Sequence, residues 1–247
     1  MKLTVLGGAG GWPPAGGACS GYLLEHRGFR LLVDPGYATL PRLLEIVSAQ
    51  MIDAVLVSHG HPDHVADLNP LLRARAMRDD PPGRLPAYAL PDALRPVLTL
   101  DQVVALEGAC DVNEFEAGDA FMIGPFDVES RALPHFVPNV GVRVSAGGLS
   151  VTYTGDAGPS DDLVTLAADT DLLLAEATFV EAVPAGAAGN LNSAIEVGRQ
   201  ASRAGAAQLV LTHLWPGTDP EAAHAAASRA FDRSIGVAVG GLVIELS

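Results

Sequence analysis

Short apolar stretches recur along the whole chain, and their spacing switches between the two-residue period of strands and the longer period of helices. Residues 3–6 read as a first strand running into a glycine-rich stretch, residues 7–17. Residues 20–25 and 29–33 bracket His26-Arg27-Gly28 as a hairpin, which Asp34-Pro35-Gly36 ends. Leu40, Leu43, Leu44 and Val47 predict a helix over 40–49, and residues 54–57 a short buried strand. Val65, Leu68, Leu71 and Leu72 suggest a second helix, with Pro70 a kink or a fresh start. The charged residues 73–84 read as a surface loop, 87–90 as a strand, and 91–100 as a helix with proline in its first turn.

The middle of the chain changes character. Strands are expected at 113–115, 120–123, 126–133, 141–144 and 149–154, with Gly147-Gly148 as a hairpin turn. Beyond them the pattern alternates again: helix 160–168, strand 172–176, helix 193–204, strand 208–212, helix 220–231, and strands near Val237 and over 243–246. Helices toward both ends with strands between them imply an α/β fold of two sheets sandwiched by helices. With no internal repeat or linker, residues 1–247 are expected to form one domain.

Composition narrows the function classes. The chain has 247 residues, 49% hydrophobic but only 5% aromatic, so the core must be built mainly from Leu, Val and Ala. A net charge of −14 argues against nonspecific nucleic-acid binding, and no stable nucleic acid partner is expected. A small phosphorylated substrate held at a metal centre stays open, because bound ions supply local positive charge. Cys19 and Cys110 form no Cys-x-x-Cys spacing, which fits a reducing cytosol rather than a disulfide framework. The start, Met1-Lys2-Leu3-Thr4-Val5-Leu6, reads as a strand and not as a signal peptide. No run approaches the ~18 apolar residues of a membrane span. A soluble cytoplasmic protein with no membrane partner is therefore expected. The stretch Gly7-Gly8-Ala9-Gly10-Gly11 lacks the Gly-Lys-Ser/Thr ending of a phosphate loop, and Trp12-Pro13-Pro14 precludes the helix a dinucleotide loop needs. It reads as a flexible loop at the rim of a site.

The candidate chemistry is concentrated in Ser58-His59-Gly60-His61-Pro62-Asp63-His64, which holds three of the chain's seven histidines and one carboxylate. Imidazole nitrogens and carboxylate oxygens suit Zn²⁺ and other borderline divalent ions. A two-metal site needs further ligands, including an acid able to bridge both ions. His135, Asp156 and His213 each follow a predicted strand, and strand ends are where ligands distant in sequence converge. His26 in a hairpin turn and His224 in an alanine-rich helix read as solvated surface residues.

On these residues the chain resembles the metallo-β-lactamase-fold superfamily, and within it the ribonuclease Z-like phosphodiesterase branch. The resemblance rests on Ser58 to His64, on Tyr153-Thr154-Gly155-Asp156-Ala157 and on Leu211-Thr212-His213-Leu214. His135 followed by Pro138 and Gly141-Val142-Arg143-Val144, and the segment Glu176-Ala177-Thr178-Phe179, favour that branch over true β-lactamases. The resemblance implies a four-layer αββα sandwich with two divalent metal ions. His59, His61 and His135 would bind one ion, Asp63, His64 and His213 the other, and Asp156 would bridge them. Zn²⁺ is the default, with Mn²⁺ or Fe open because carboxylates and waters complete the shell. Two ions about 3.5–4 Å apart can hold a bridging hydroxide and stabilise both oxygens of a displacement, which suits phosphodiesters. Asp34 would orient a ligand histidine from behind, or simply form a turn. A homodimer is common in this family.

Two departures stand out. Ribonuclease Z enzymes usually carry a His-x-Thr motif after the Glu-Ala-Thr-Phe segment, and Asn190-Leu191-Asn192-Ser193 falls there instead. Asn190 cannot exchange a proton near pH 7, which deprives Glu176 of its usual partner. Only 20 residues separate His135 from Asp156, and no spacing leaves room for a basic arm that grips transfer RNA. The expectation is a metal-dependent hydrolase, a phosphodiesterase on a small or cyclic nucleotide-like ester and not a transfer-RNA-processing nuclease. Asp63, Glu176 and Asn190 are its candidate catalytic residues, the last two positioning substrate or water. The alternatives are a lactonase or thioesterase on the same metal site, with Trp12 and Trp215-Pro216 as an apolar wall, and a non-catalytic metal-binding pseudo-enzyme.

Overall fold

The structure, a computed structural model, describes residues 1–100, 106 and 108–247. The chain opens with strands β1 (Lys2–Gly7), β2 (Gly21–His26) and β3 (Phe29–Val33), followed by helix α1 (Thr39–Leu44), β4 (Ala54–Leu56), α2 (Pro62–Val65), α3 (Leu68–Ala76), β5 (Leu85–Ala89), α4 (Arg95–Leu98) and β6 (Cys110–Glu114). A second run of strands, β7 (Ala120–Ile123), β8 (Phe126–Ala132), β9 (Val140–Ala146) and β10 (Leu149–Tyr153), leads to α5 (Asp161–Leu166), β11 (Leu172–Glu176), α6 (Ala194–Ala204), β12 (Gln208–Thr212), α7 (Pro220–Ser228) and β13 (Ser234–Val237). Strand β14 (Val243–Glu245) then returns to pair with β1. The result is two seven-stranded sheets, ordered β14-β1-β2-β3-β4-β5-β6 and β13-β12-β11-β10-β9-β8-β7.

The cores explain why so many strands read as unbroken apolar runs. In β2, Tyr22 and Leu24 belong to the core between the sheets, whereas Leu23 belongs to the core beneath the outer helices. In β11, Leu172 and Leu174 face the other sheet, and Leu173 and Ala175 face α6. Alternate side chains of a strand point to opposite faces, so a strand covered on both sides must be apolar throughout. The four-layer αββα sandwich is thus written into the strands themselves. Helix α6 buries Val197, Ala201 and Ala204 at helical spacing and ends on Gly205, whose φ of 71° is the left-handed cap that glycine supplies.

Several local expectations are corrected. The helix expected over 40–49 stops at Leu44, and a 3₁₀ turn over Ala49–Met51 follows. The β-branched Ile46 and Val47 and then Ser48, which is extended, are poor material for prolonging it. Residues 91–100 contribute only α4, because Asp92 takes a left-handed φ of 61°. Pro70 kinks nothing: it is the third residue of α3, where its missing N–H would lack a partner anyway. The charged stretch 73–84 is helical to Ala76, and Arg75 is buried, donating to the carbonyls of Ala49, Ile52 and Gly83. Among the described residues no helix is long and apolar enough to cross a membrane.

Parallel pairing sets up the site. Strands β3 and β4 are parallel, as are β10, β11 and β12, so their C-terminal ends lie on one edge. Strand β8 is antiparallel to β9, which is antiparallel to β10, so β8 also ends there. Asp34, Ser58 to His64, His135, Asp156, Glu176 and His213 all lie at or just beyond these ends.

Candidate metal centre

Two ligand groups meet at that edge, and they share one residue. His59, His61, His135 and Asp156 bring one donor atom each within 4.8 Å of one another, and Asp63, His64, His213 and Asp156 do the same. His61 Nδ1 lies 3.1 Å from both His59 Nε2 and His135 Nε2. Asp156 Oδ2 lies 3.8 Å from His59 Nε2, 3.8 Å from His135 Nε2 and 3.1 Å from His213 Nε2, while its Oδ1 is 3.2 Å from His64 Nε2. Asp63 Oδ2 completes the second group, 3.2 Å from His213 Nε2 and 3.6 Å from His64 Nε2. All seven residues expected as ligands are therefore brought together.

The partners behind the rings decide which nitrogen each histidine presents. His64 Nδ1 donates to Asp34 Oδ2 at 2.8 Å. His135 Nδ1 donates to the carbonyl of Asn190 at 3.0 Å. His59 Nδ1 meets Ser58 Oγ at 3.0 Å, and that hydroxyl donates to Asp34 Oδ2 at 2.6 Å. His213 Nδ1 meets Thr178 Oγ1 at 2.9 Å, and that hydroxyl donates to Glu176 Oε1 at 2.6 Å. With Nδ1 so engaged, these four rings present a bare Nε2 to the interior, whereas His61 presents Nδ1. A hydrogen-bonded second nitrogen is the usual support of a metal-binding imidazole.

The donor set fits a divalent ion. His61 Nδ1 lies 3.1 Å from each of two other ring nitrogens, and a tetrahedral zinc site with Zn–N of about 2.0–2.1 Å has nitrogen–nitrogen edges of about 3.3 Å. The buried His64 Nε2 and Asp156 Oδ1 make no hydrogen bond although they face each other. Unsatisfied buried polar atoms are rare and call for an explanation; a cation between them supplies it.

The electrostatics separate the two groups. Burial holds His59 well below the ordinary histidine pKa, and burial also lowers His61 and His135. Burial opposes charge on His64 and His213 too, but Asp156 with Asp34 outweighs it at His64, and Asp156 with Asp63 outweighs it at His213, so both are raised. Burial likewise opposes charge on Asp63 and Asp156, yet the facing histidines hold both carboxyls below the usual range.

Backbone geometry is bent to this purpose. Asp34 (φ 47°) and His213 (φ 57°) adopt the left-handed region, which costs non-glycine residues about 1–3 kcal/mol and clusters at functional sites. A Cβ on Gly36 would come within 1.9 Å of the Asp63 carbonyl, so the Asp34-Pro35-Gly36 turn must pass directly under the ligand segment. Asp34 itself is fully buried and accepts from Ser58 N, Ser58 Oγ, His64 Nδ1 and Tyr153 Oη. It thus touches the His64 ring from behind, as an orienting residue would, besides forming the turn.

Glu176 and Asn190 are placed differently: Glu176 is sealed in the interior, whereas the half-buried Asn190 adjoins the centre through its backbone. Glu176 is fully buried behind the centre: Oε2 accepts from the N–H of Ala157, and Oε1 accepts from Thr178 and from the N–H of Asn192. Burial, with Asp156 nearby, pushes its carboxyl up to about 7. Its neighbour is Asn192, not Asn190, and Asn190 acts through its carbonyl on His135. The residues missed by sequence reasoning are the hydroxyls Ser58, Thr178 and Tyr153. Each stands inside a motif segment, but nothing in a single sequence tells a relay hydroxyl from a packed one. His26 and His224 belong to neither ligand group; His224 is exposed as expected, whereas His26 is half-buried beside Phe126.

The comparisons agree with this geometry. The family model described as "Beta-lactamase superfamily domain" matches residues 29–214. The probable metallo-hydrolase YhfI of Bacillus subtilis is 33% identical over 99% of this chain and 100% of its own length. A ribonuclease Z of Mycolicibacterium gilvum is 30% identical, with coverage of 95% and 92%. Among solved structures, the metallo-beta-lactamase fold protein YhfI superposes with a TM-score of 0.89 over 99% of this chain and 98% of that one, at 33% identity. The human short-form tRNase Z has the same fold, with a TM-score of 0.81 at 22% identity and full coverage of both chains. With a matching family model, a sandwich of the same shape and a His/Asp cluster able to bind metal, this chain belongs to the beta-lactamase superfamily.

Proposed function

We propose that the chain is a dinuclear metal-dependent hydrolase, a phosphodiesterase acting on a small or cyclic nucleotide-like ester. The observation that carries the reading is Asp156, whose carboxylate is common to both ligand groups. His59, His61 and His135 would hold one ion, and Asp63, His64 and His213 the other, with Zn²⁺ the default for so imidazole-rich a set. When bound, such a pair supplies Lewis acidity toward a phosphoryl oxygen and lowers the pKa of a coordinated water. The naming of the relatives supports hydrolysis: one is a probable metallo-hydrolase and others are ribonucleases Z.

The residues of the chain then divide the remaining work. Asp34, Thr178 and the Asn190 carbonyl keep the ring nitrogens aimed. Glu176 fixes Thr178 and the N–H after Asp156. Neither Glu176, sealed behind the ligands, nor Asn190, acting through its backbone, delivers a proton to a departing alkoxide. Esters whose leaving groups need no protonation, such as nitrophenyl phosphodiesters, should therefore be cleaved best. The charge of −14 supports a small substrate over transfer RNA.

The test is a panel of aryl and cyclic phosphodiesters, acyl-lactones and a precursor transfer RNA, assayed with metal-reconstituted protein. Cleavage of aryl phosphodiesters well above an Asp63→Ala/His64→Ala variant is expected, with no processing of the transfer RNA. Turnover no better than the variant would end the proposal. Faster lactone than phosphodiester turnover would replace it with hydrolysis at a carboxyl centre.

A further inference from the structure

The chain has two tryptophans, with ring centroids 6.0 Å apart, and both stand on segments that adjoin the second ligand group: Trp215 two residues past His213, and Trp12 next to Gly11, which contacts Asp63. Phe179 extends the group, 5.3 Å from Trp215. Trp12 is 52% exposed and Trp215 41%. Other large apolar side chains, Phe136 and Met122 among them, are as exposed; what sets Trp12 and Trp215 apart is that two indoles, with the half-buried Phe179, are gathered in one place.

Each ring is mounted on backbone that also carries the second ligand group. Trp215 lies two residues beyond His213, and Phe179 follows Thr178, which holds His213. Trp12 follows Gly11, whose N–H donates to Asp63 Oδ2 at 2.7 Å. Gly10 presses on His213 so closely that a Cβ there would come within 2.5 Å of the ring, and a Cβ on Gly11 would lie 4.0 Å from Trp215 Nε1. The glycine-rich loop is thus pinned against the ligands, and the rings keep a defined place beside them.

The ring geometry favours a planar guest. Trp12 and Trp215 are inclined at 45°, and Phe179 and Trp215 at 55°, so none of the three is stacked on another. An indole carries 150–250 Å² of surface that packing normally buries, and its electron-rich face prefers another ring. We propose that Trp12, Trp215 and Phe179 form a platform that stacks the planar aromatic ring, a nucleobase or an aryl group, of a phosphoester whose phosphate lies at the metal centre. This rests on the phosphodiesterase reading for the phosphate and on the exposed rings for the rest. Three aromatic side chains, where aliphatic ones would wet an acyl chain equally well, favour the ring over the alkyl group.

The experiment uses the chain's own fluorescence, which both tryptophans report from this one place. Adenosine 5′-monophosphate, phenyl phosphate, ribose 5-phosphate and octanoate are titrated into the zinc-loaded protein. Both ring compounds should quench saturably and bind about tenfold more tightly than ribose 5-phosphate, the scale expected for one stacked base. The comparison of adenosine 5′-monophosphate with phenyl phosphate distinguishes a nucleobase site from a general aryl site, and tight binding of either supports the platform. Trp12→Phe and Trp215→Phe should each keep that preference. A Trp12→Ala/Trp215→Ala variant, which has lost the reporter, is followed by isothermal calorimetry with the same four compounds and should lose the preference with circular dichroism and zinc content unchanged. Equal binding of ribose 5-phosphate and the ring compounds, tighter binding of octanoate, or a ring preference that survives in the double alanine variant would overturn the platform. Phosphodiester cleavage without ring preference would sink the platform alone; ring preference on carboxyl esters without phosphodiester cleavage would sink the phosphodiesterase alone.

Discussion

Thr178 Oγ1 sits 2.9 Å from His213 Nδ1 and is held there by donating to Glu176 at 2.6 Å, so a buried carboxylate reaches a candidate metal ligand through one hydroxyl. The same device recurs on the other side, where Ser58 links His59 to Asp34. Each relay pins a ring that would otherwise be free to rotate.

Replacing Thr178 by Val should cost about 1–3 kcal/mol of stability, because His213 Nδ1 and a Glu176 oxygen both lose a buried partner. Zinc affinity at the second ligand group should fall about 10–100-fold, the usual effect of deleting such a support. Thr178→Ser should restore it. Zinc titration with chemical denaturation checks both, and an affinity unchanged in Thr178→Val would refute the relay.

Asp34 is the acceptor for two hydroxyls and a ring N–H from three residues, Ser58, Tyr153 and His64, and for the Ser58 backbone N–H as well. Asp34→Ala should cost more than about 3 kcal/mol, since several buried donors are orphaned at once. Asp34→Asn keeps the left-handed turn within reach, because Asn tolerates it. That variant should fold but lose most activity, its amide being unable to accept from every donor. A fully active Asp34→Asn protein would show that Asp34 serves the turn alone.

Metal uptake should be stepwise in pH. His59, His61 and His135 are depressed and stand neutral near pH 7, ready to bind. His64 and His213 are raised, so metal-free protein carries protons there that an incoming ion must displace. Raising the pH removes those protons, so affinity at the second group rises with pH. Elemental analysis should find zinc content rising from about one toward about two equivalents as the pH is raised, never the reverse. Calorimetry in buffers of different ionisation enthalpy should register proton release mainly in the second step. Simultaneous filling at every pH would contradict this assignment.

Both cysteines should be inert in the folded protein. Burial, helped by Asp63, pushes the Cys19 thiol up to about 12, and burial pushes Cys110 up to about 11. The thiolate is the reactive form, so a disulfide-exchange reagent at pH 8 should find no rapidly reacting thiol until the protein is unfolded. Fast modification of Cys19 in native protein would mean that the glycine-rich loop opens readily.

Local signals in the chain were enough for the alternation of strands and helices, the doubly covered strands and the seven ligand-type residues. Hydrophobic period and motif spacing are properties of neighbouring residues, and an imidazole three positions from another needs no tertiary context to be noticed. The end of α1 at Leu44 and the late start of α4 after Asp92 escaped because they depend on dihedral angles that spacing does not express. The sequence did not tell that Glu176 is fully buried or that Asn190 meets His135 through its carbonyl, and it could not name the partner of any ring. Those facts belong to residues far apart in the chain. Asp34 is 119 positions from Tyr153, Asn190 is 55 from His135, and Thr178 is 35 from His213. Thr178 meets His213 because β11 and β12 pair, and Asp34 meets Tyr153 because the two sheets close on each other; only then is it decided which nitrogen faces inward, which carboxylate is sealed away, and that the two tryptophans stand side by side.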